Sequence, residues 1–194
     1  MTMKVFREVA ITVLIALAVF AVLRLTMQSY TVVMSSMEPN FYQGDCIMVS
    51  KVNYRSSGPQ RGEVIVFSPP FDSPHPFIKR VIGLPGEIIE IEDGSVSVNG
   101  TPLDEDYVSA LPNYTMHATQ VPENEYFVLG DNRNNSNDSH TGWLVPRDNI
   151  IGRAWFVYWP PSRWRVVKHH SYPELNGASE QETMATQLPE VQFD

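Results

Sequence analysis

The sequence has a single cysteine, Cys46, which makes neither an internal disulfide nor a cysteine-based zinc site, so the fold must hold through an ordinary core. Basic residues are scarce: 14 Lys plus Arg stand against 22 Asp plus Glu, a formal net charge of -8. The broad cationic surface that counterion release from nucleic acid requires is therefore missing, and no nucleic-acid partner is expected. His75, His117, His169 and His170 have no ligand spacing with acids or with Cys46, so no metal and no other cofactor is expected. Only 19% of residues are charged, while 15 prolines and 11 glycines punctuate the chain, a pattern of short strands and turns rather than a helical bundle. With 194 residues and 43% hydrophobic composition, one folded core is the default.

Long apolar runs are confined to the N-terminus. Val9 to Leu23 is uninterrupted over about 15 residues, short of the roughly 20 that a membrane-spanning helix needs. The run resumes beyond Arg24 with Leu25 and Met27, and an arginine near a helix end can snorkel to the headgroups, which extends the segment to about 19 residues. The alternative is a secretory h-region, but Arg24, Leu25, Thr26, Met27, Gln28 and Ser29 offer no small-x-small cleavage site, so an uncleaved anchor is expected. Lys4 and Arg7 precede the run, and after Arg24 no Lys or Arg occurs until Lys51. The positive-inside rule then puts the N-terminus in the cytoplasm and the remainder on the extracytoplasmic side, periplasmic or lumenal.

From Tyr30 on, β-rich runs recur between Gly, Pro and Asp: CIMVS, EVIVF, FIKRVIG, EIIEIE, SVSV, EYFVLG and IIGRAWFVYW. Ile89 and Ile91 alternate with acids, Asp93-Gly94 supplies a type I′ turn pair, and Val96 and Val98 alternate in return, which predicts a half-buried hairpin. Beyond His170 the chain is acidic, lacks Lys and Arg and has few large apolar residues, so it cannot offset the entropy of ordering. The expected organisation is a cytoplasmic N-terminus (1–8), a transmembrane anchor (9–27), a β-rich catalytic domain (28–170) and an acidic, disordered tail (171–194).

Two short segments carry chemistry. Ser35-Ser36-Met37-Glu38-Pro39 lies close after the apolar run, and Phe77 to Gly83 reads as a strand whose alternation sets Lys79 on one face with Phe77 and Val81. A serine is a poor nucleophile until a base takes its proton, and a lysine is that base only when neutral. Neutralising an ordinary lysine at pH 7 costs roughly 4 to 5 kcal/mol, whereas burial lowers its pKa by up to about 3 to 5 units. No carboxylate lies between Asp72 and Glu87 to oppose this, and neighbouring Arg80 favours deprotonation. Spacing alone leaves a second reading open, a lysine that snorkels from the edge of an apolar strand.

Four segments, in order, resemble the type I signal peptidases, membrane-anchored serine proteases that cleave signal peptides from exported proteins. They are Ser36 to Pro39, Arg61 to Phe67, Phe77 to Gly86, and Gly130 to Ser139, the last reading GDNRNNSNDS. The resemblance implies a mainly β fold, a coiled antiparallel β-sheet catalytic body with an inserted cap, preceded by one transmembrane helix. It implies Ser36 as nucleophile, Lys79 as general base, and Ser136 as a hydroxyl that orients the lysine. It makes Asp131 and Asp138 acids that hold the site's shape, Asp131 paired with Arg80. By the same carry-over, Met34, Met37, Phe41, Phe77 and Ile78 line shallow apolar pockets for the small residues of A-x-A cleavage sites in secretory preproteins; the extended cleavage region is expected to pair its backbone with an exposed strand edge beside Lys79.

The sequence departs from the family pattern at Met34, where many relatives have a serine that donates to the oxyanion hole, leaving mainly backbone N–H groups, chiefly that of Ser36. Asn40 replaces the usual Thr after Pro39. His140 stands where many bacterial members have Arg, and the DSH ending followed by Gly142-Trp143 is similar to the cyanobacterial and plastid branch. A Ser-His-Asp triad from Asp138, Ser139 and His140 is disfavoured because consecutive side chains do not converge on one cleft, and His140 is expected to partner Asp138. Trp155, Phe156, Tyr158, Trp159 and Trp164 are read as core, with part of the cluster resting on the lipid bilayer. Two alternatives remain: a catalytically silent, membrane-tethered β module that binds extracytoplasmic peptides, and a self-cleaving repressor-type Ser-Lys protein, which the N-terminal anchor weighs against.

Overall fold

The computed structural model describes residues 2–52, 54 and 57–175. Helix α1 (Thr2–Thr26) starts ahead of the apolar run, and its side chains from Met3 to Leu25 are exposed all round. Met3–Thr26 is long and apolar enough to cross a membrane, by length and composition. The helix ends at Thr26, and Met27 already pairs with Ser50 as the first residue of β1 (Met27–Thr31).

The strands that follow are β2 (Cys46–Ser50), β3 (Val64–Phe67), β4 (Phe77–Gly83), β5 (Ile88–Glu92), β6 (Ser95–Val98), β7 (Thr101–Pro102), β8 (Met116–Gln120), β9 (Glu125–Leu129), β10 (Val145–Pro146), β11 (Ile150–Trp159) and β12 (Arg165–Val166). Seven form the path β1-β2-β11-β3-β4-β9-β10, with β12 added on β11, and every pairing is antiparallel. The long strand β11 pairs with β3 through its first half and with β2 through its second. Its register shifts between Ile150 and Gly152, between Ala154 and Phe156, and between Val157 and Trp159. Such bulges bend a strand and raise its twist, which curls the sheet.

A second sheet, β7-β6-β5-β8, is built from the chain between β4 and β9 and forms the inserted cap. Its central hairpin has the expected turn: Asp93 and Gly94 have φ of 49° and 77°, as type I′ requires. Asn99 and Gly100, with φ of 50° and 79°, make a second such turn between β6 and β7. Ile82, Phe127 and Leu129 of the main sheet share one buried cluster with Ile89, Ile91, Val96 and Val98, so the cap packs on the ends of β4 and β9. Ile65, Phe67, Val81 and Val128 fill a further cluster, each side chain contributing about 1.5–3 kcal/mol by leaving water.

Residues 171–175, expected in the tail, pack on the body: Tyr172 is buried with its hydroxyl 2.8 Å from that of Tyr107, and Glu174 accepts from the Asp104 N–H at 2.9 Å. The remainder of the expected tail, 176–194, lies outside the described residues.

Candidate active site

The chain from Ser35 to Phe41 turns sharply, with Glu38 N–H donating to Ser35 O at 3.1 Å and Phe41 N–H to Met37 O at 2.8 Å. Met37 and Phe41 were expected to line substrate pockets; the structure puts both elsewhere. They are buried with Ile47, Val49, Val64 and Val66, so their apolar bulk anchors the turn from beneath. From the other side Asn132 clasps it: its backbone N–H donates to Ser36 O at 3.0 Å and its Nδ2 to Ser35 O at 3.1 Å. Asn135 Nδ2 reaches Ser35 Oγ at 3.0 Å. Ser36 is thereby fixed and buried.

β4 brings the second group. Ile65 stands opposite Lys79, and Phe77 and Val81, two residues either side, lie in the same apolar cluster as Ile65. Lys79 is only 1% exposed, and its Nζ donates to Ser36 Oγ at 2.6 Å. Burial pushes the amine's pKa down from 10.5 to about 8, against the upward pull of the Asp138 and Asp131 carboxylates. Both carboxylates reach the site from far along the chain, so the acid-free stretch around Lys79 in the sequence understated the opposing charge.

Arg80, pointing to the opposite face of β4, makes the expected pair with Asp131: Nε to Oδ1 at 2.8 Å and Nη2 to Oδ2 at 2.7 Å, both residues buried. Asn40 adds a third donor to that carboxylate at 2.9 Å, which gives the Thr-to-Asn departure a partner. Asp138 accepts from Gly130 N–H at 2.8 Å and from His140 Nδ1 at 2.6 Å, as expected of His140. Ser139 Oγ accepts from Val128 N–H at 3.0 Å within the fold, so the Asp138-Ser139-His140 triad does not form. The Ser136 hydroxyl is buried and has no hydrogen-bond partner among the described residues, Lys79 included; it lies against Gly130. A Cβ on Gly130 would fall 2.3 Å from Ser136 Oγ and 2.4 Å from Ser36 O, so only glycine admits this approach.

A groove of about 530 Å³ opens above Ser36 and Lys79, walled by Val33 and Met34 on one side and by Phe77 and Ile78 on the other. Met34 is 52% exposed there and carries no donor. β1 is an edge strand, and β4 pairs with β9 only from Arg80 onward, which leaves Phe77 to Lys79 paired on one edge alone among the described strands. Unpaired edges of this kind accept an extended peptide through main-chain hydrogen bonds. The residues that sequence reasoning left unassigned are Gly130, Asn132 and Asn135; they lie inside the GDNRNNSNDS segment, and a run of asparagines beside a glycine was the available signal. Trp155, Trp159 and Trp164 are about half exposed or more, while Phe156 and Tyr158 are half-buried.

A family model described as signal peptidase, peptidase S26, matches residues 5–159. The chain is 48% identical over 136 residues to a probable signal peptidase I-1 of Synechocystis sp., covering 66% of this chain and 69% of that protein. It is 36% identical over 153 residues to thylakoidal processing peptidase 1, chloroplastic, of Arabidopsis thaliana, covering 74% of this chain and 45% of that longer protein. It is 32% identical over 190 residues to signal peptidase IB of Staphylococcus aureus, covering 88% and 97%.

Proposed function

Because the chain belongs to the signal peptidase family, peptidase S26, of serine proteases that remove signal peptides, we propose that Ser36 and Lys79 carry that reaction in it. The observation that carries the assignment is the 2.6 Å contact between Lys79 Nζ and Ser36 Oγ in a buried, apolar setting that lowers the amine's pKa.

The preprotein enters extended, its backbone pairing with the free edge at Phe77 to Lys79. Ser36 Oγ attacks the scissile carbonyl carbon while neutral Lys79 takes its proton. The new oxyanion is held by the Ser36 backbone N–H, which has no other partner among the described residues. As the C–N bond breaks, the lysine ammonium protonates the leaving amine. Lys79 then takes a proton from water, whose oxygen attacks the acyl carbon, and returns it to Ser36 Oγ as the acyl carbon–Oγ bond breaks. Asp131, Asp138 and Arg80 keep the walls of the site in register, and Ser136 is the hydroxyl available to the amine when it turns from Ser36. Met34, Phe77 and Ile78 make the groove shallow and apolar, which favours the small residues of A-x-A cleavage sites.

Helix α1 anchors the enzyme in a bilayer. We infer a cytoplasmic N-terminus from Lys4 and Arg7, with the body on the extracytoplasmic side. The exposed Trp155, Trp159 and Trp164 rest on the lipid surface, where amphipathic rings are favoured. The test is cleavage of a preprotein in detergent by the wild type, Ser36→Ala and Lys79→Ala. Product from the wild type alone supports the assignment. No product from any of the three would instead favour a peptide-binding module.

A further inference from the structure

Where α1 meets the sheet, the chain builds a second groove that the proteolytic reaction does not use. Met27 pairs with Ser50, so the next pair outward sets Lys51 against Thr26, and Lys51 N–H donates to Thr26 O at 2.8 Å. This register brings Lys51 beside the last turn of α1, which carries Arg24. Two cations therefore converge where the helix's terminal carbonyls already favour positive charge. Neither side chain has an ion pair or hydrogen bond among the described residues; Arg24 lies over the Phe20 ring at 5.4 Å. The opposite wall is formed by Met48 and by Trp155. Trp155 falls between Ala154 and Phe156, where β11 slips register against β2, so the bulge turns its ring outward. The groove between these walls holds about 720 Å³, has Phe20 and Leu23 along one side, and includes no acidic residue among the described ones.

We propose that this groove binds an anionic glycerolipid of the surrounding bilayer, with its phosphodiester between Arg24 and Lys51 and an acyl chain against Phe20 and Leu23. The proposal rests on the reading that α1 crosses a bilayer. Arg24 is then at the level where the hydrocarbon ends and phosphates begin, the depth to which arginine and tryptophan side chains reach. Charge complementarity selects the ligand. In a chain of net charge -8 these two unpaired cations are a local exception, and the apolar floor beneath them suits a tail rather than a free ion. Each cation near an anionic headgroup favours it about fivefold.

The test uses the full chain in nanodiscs of phosphatidylglycerol and phosphatidylcholine in equal parts, with the lipids retained on the released protein counted by native mass spectrometry. The wild type is expected to retain phosphatidylglycerol over phosphatidylcholine by roughly 25-fold, Arg24→Gln and Lys51→Gln each to lower that ratio about fivefold, and the double variant to bring it near one. No preference in the wild type, or a preference that survives in the double variant, overturns the proposal. So does loss of the lipid when inorganic phosphate is added in excess, because the site would then be one for a soluble anion. Cleavage of a preprotein in detergent, measured in parallel, is expected to be unchanged by both substitutions and reports that the variants are folded. Absent cleavage with an intact lipid ratio would count against the Ser36 and Lys79 assignment alone.

Discussion

Lys79 donates to Ser36 across 43 positions of sequence at 2.6 Å, and neither partner is free to drift. Lys79 sits in β4, which is paired with β3 from Phe77 to Arg80 and with β9 from Arg80 onward. Ser36 is held by Asn132 above and by buried Met37 and Phe41 below.

Gly130→Ala tests how tightly that placement is enforced. The added methyl would meet Ser136 Oγ and Ser36 O at less than 2.5 Å, and the second contact is with backbone. Overpacking of this kind costs about 1–3 kcal/mol, while misplacing a reacting group by about 1 Å can cost a hundredfold in rate. The expected outcome is a folded variant, with Tm lowered by several degrees and kcat reduced far more than the stability loss explains. Near-wild-type kcat would show that the Gly130 contact does not position Ser36.

Asp138→Asn separates charge from shape. The Asp138 carboxylate favours the ammonium form of Lys79, so removing its charge lowers the amine's pKa and shifts the acid limb of the kcat/KM profile to lower pH. The amide cannot accept from both Gly130 N–H and His140 Nδ1, so stability falls by about 1–3 kcal/mol. A limb that stays in place or moves upward would remove Asp138 from the electrostatics of the base.

Met34→Ser addresses the departure from the family pattern. A hydroxyl at this position, two residues before Ser36 on the groove wall, adds an oxyanion donor of the kind whose loss elsewhere costs about 2.7–4 kcal/mol in the barrier. A rise in kcat of tenfold or more is expected, with KM raised modestly by lost apolar contact. Unchanged kcat would mean that backbone donors already saturate the site.

Local chemistry made much of this legible in the sequence. Asp93-Gly94 between alternating apolar residues specified its hairpin, and alternation along Phe77 to Gly83 put Lys79 with apolar neighbours. Non-local closure was not legible. Nothing near Lys79 in the chain announces Asp131 or Asp138, and nothing in Met37 or Phe41 says whether an apolar side chain near a nucleophile faces substrate or core. That choice depends on β2 packing beneath the turn, a contact set by β11 pairing with both β2 and β3. Composition places residues 171–175 in the tail, yet Tyr172, through Tyr107, and Glu174, through the Asp104 N–H, tie them to the body.

Lys79→Met should remove activity and stabilise the protein at neutral pH. The amine has a pKa of 10.5 when unfolded and about 8 when folded, so between these values the unfolded chain binds more protons and stability rises with pH. Stability from this group is complete above 10.5 and is lost as pH falls to about 8, below which the buried charge costs up to about 3 kcal/mol. Thermal unfolding at pH 7 should therefore favour the methionine variant by about 1–3 kcal/mol after the lost hydrogen bond to Ser36 is counted, and the advantage should shrink toward pH 10. An advantage that does not depend on pH would refute the lowered pKa.

The most direct measurement is titration of the Lys79 amine itself, by NMR of the chain carrying 13C-labelled lysine, with Lys79→Met to assign the signal and the pH profile of kcat/KM recorded on the same preparation. A neutral-lysine mechanism predicts a single ionisation near pH 8 that coincides with the acid limb of the rate profile. An amine that stays protonated up to its ordinary value near 10.5 while cleavage proceeds at neutral pH would contradict it.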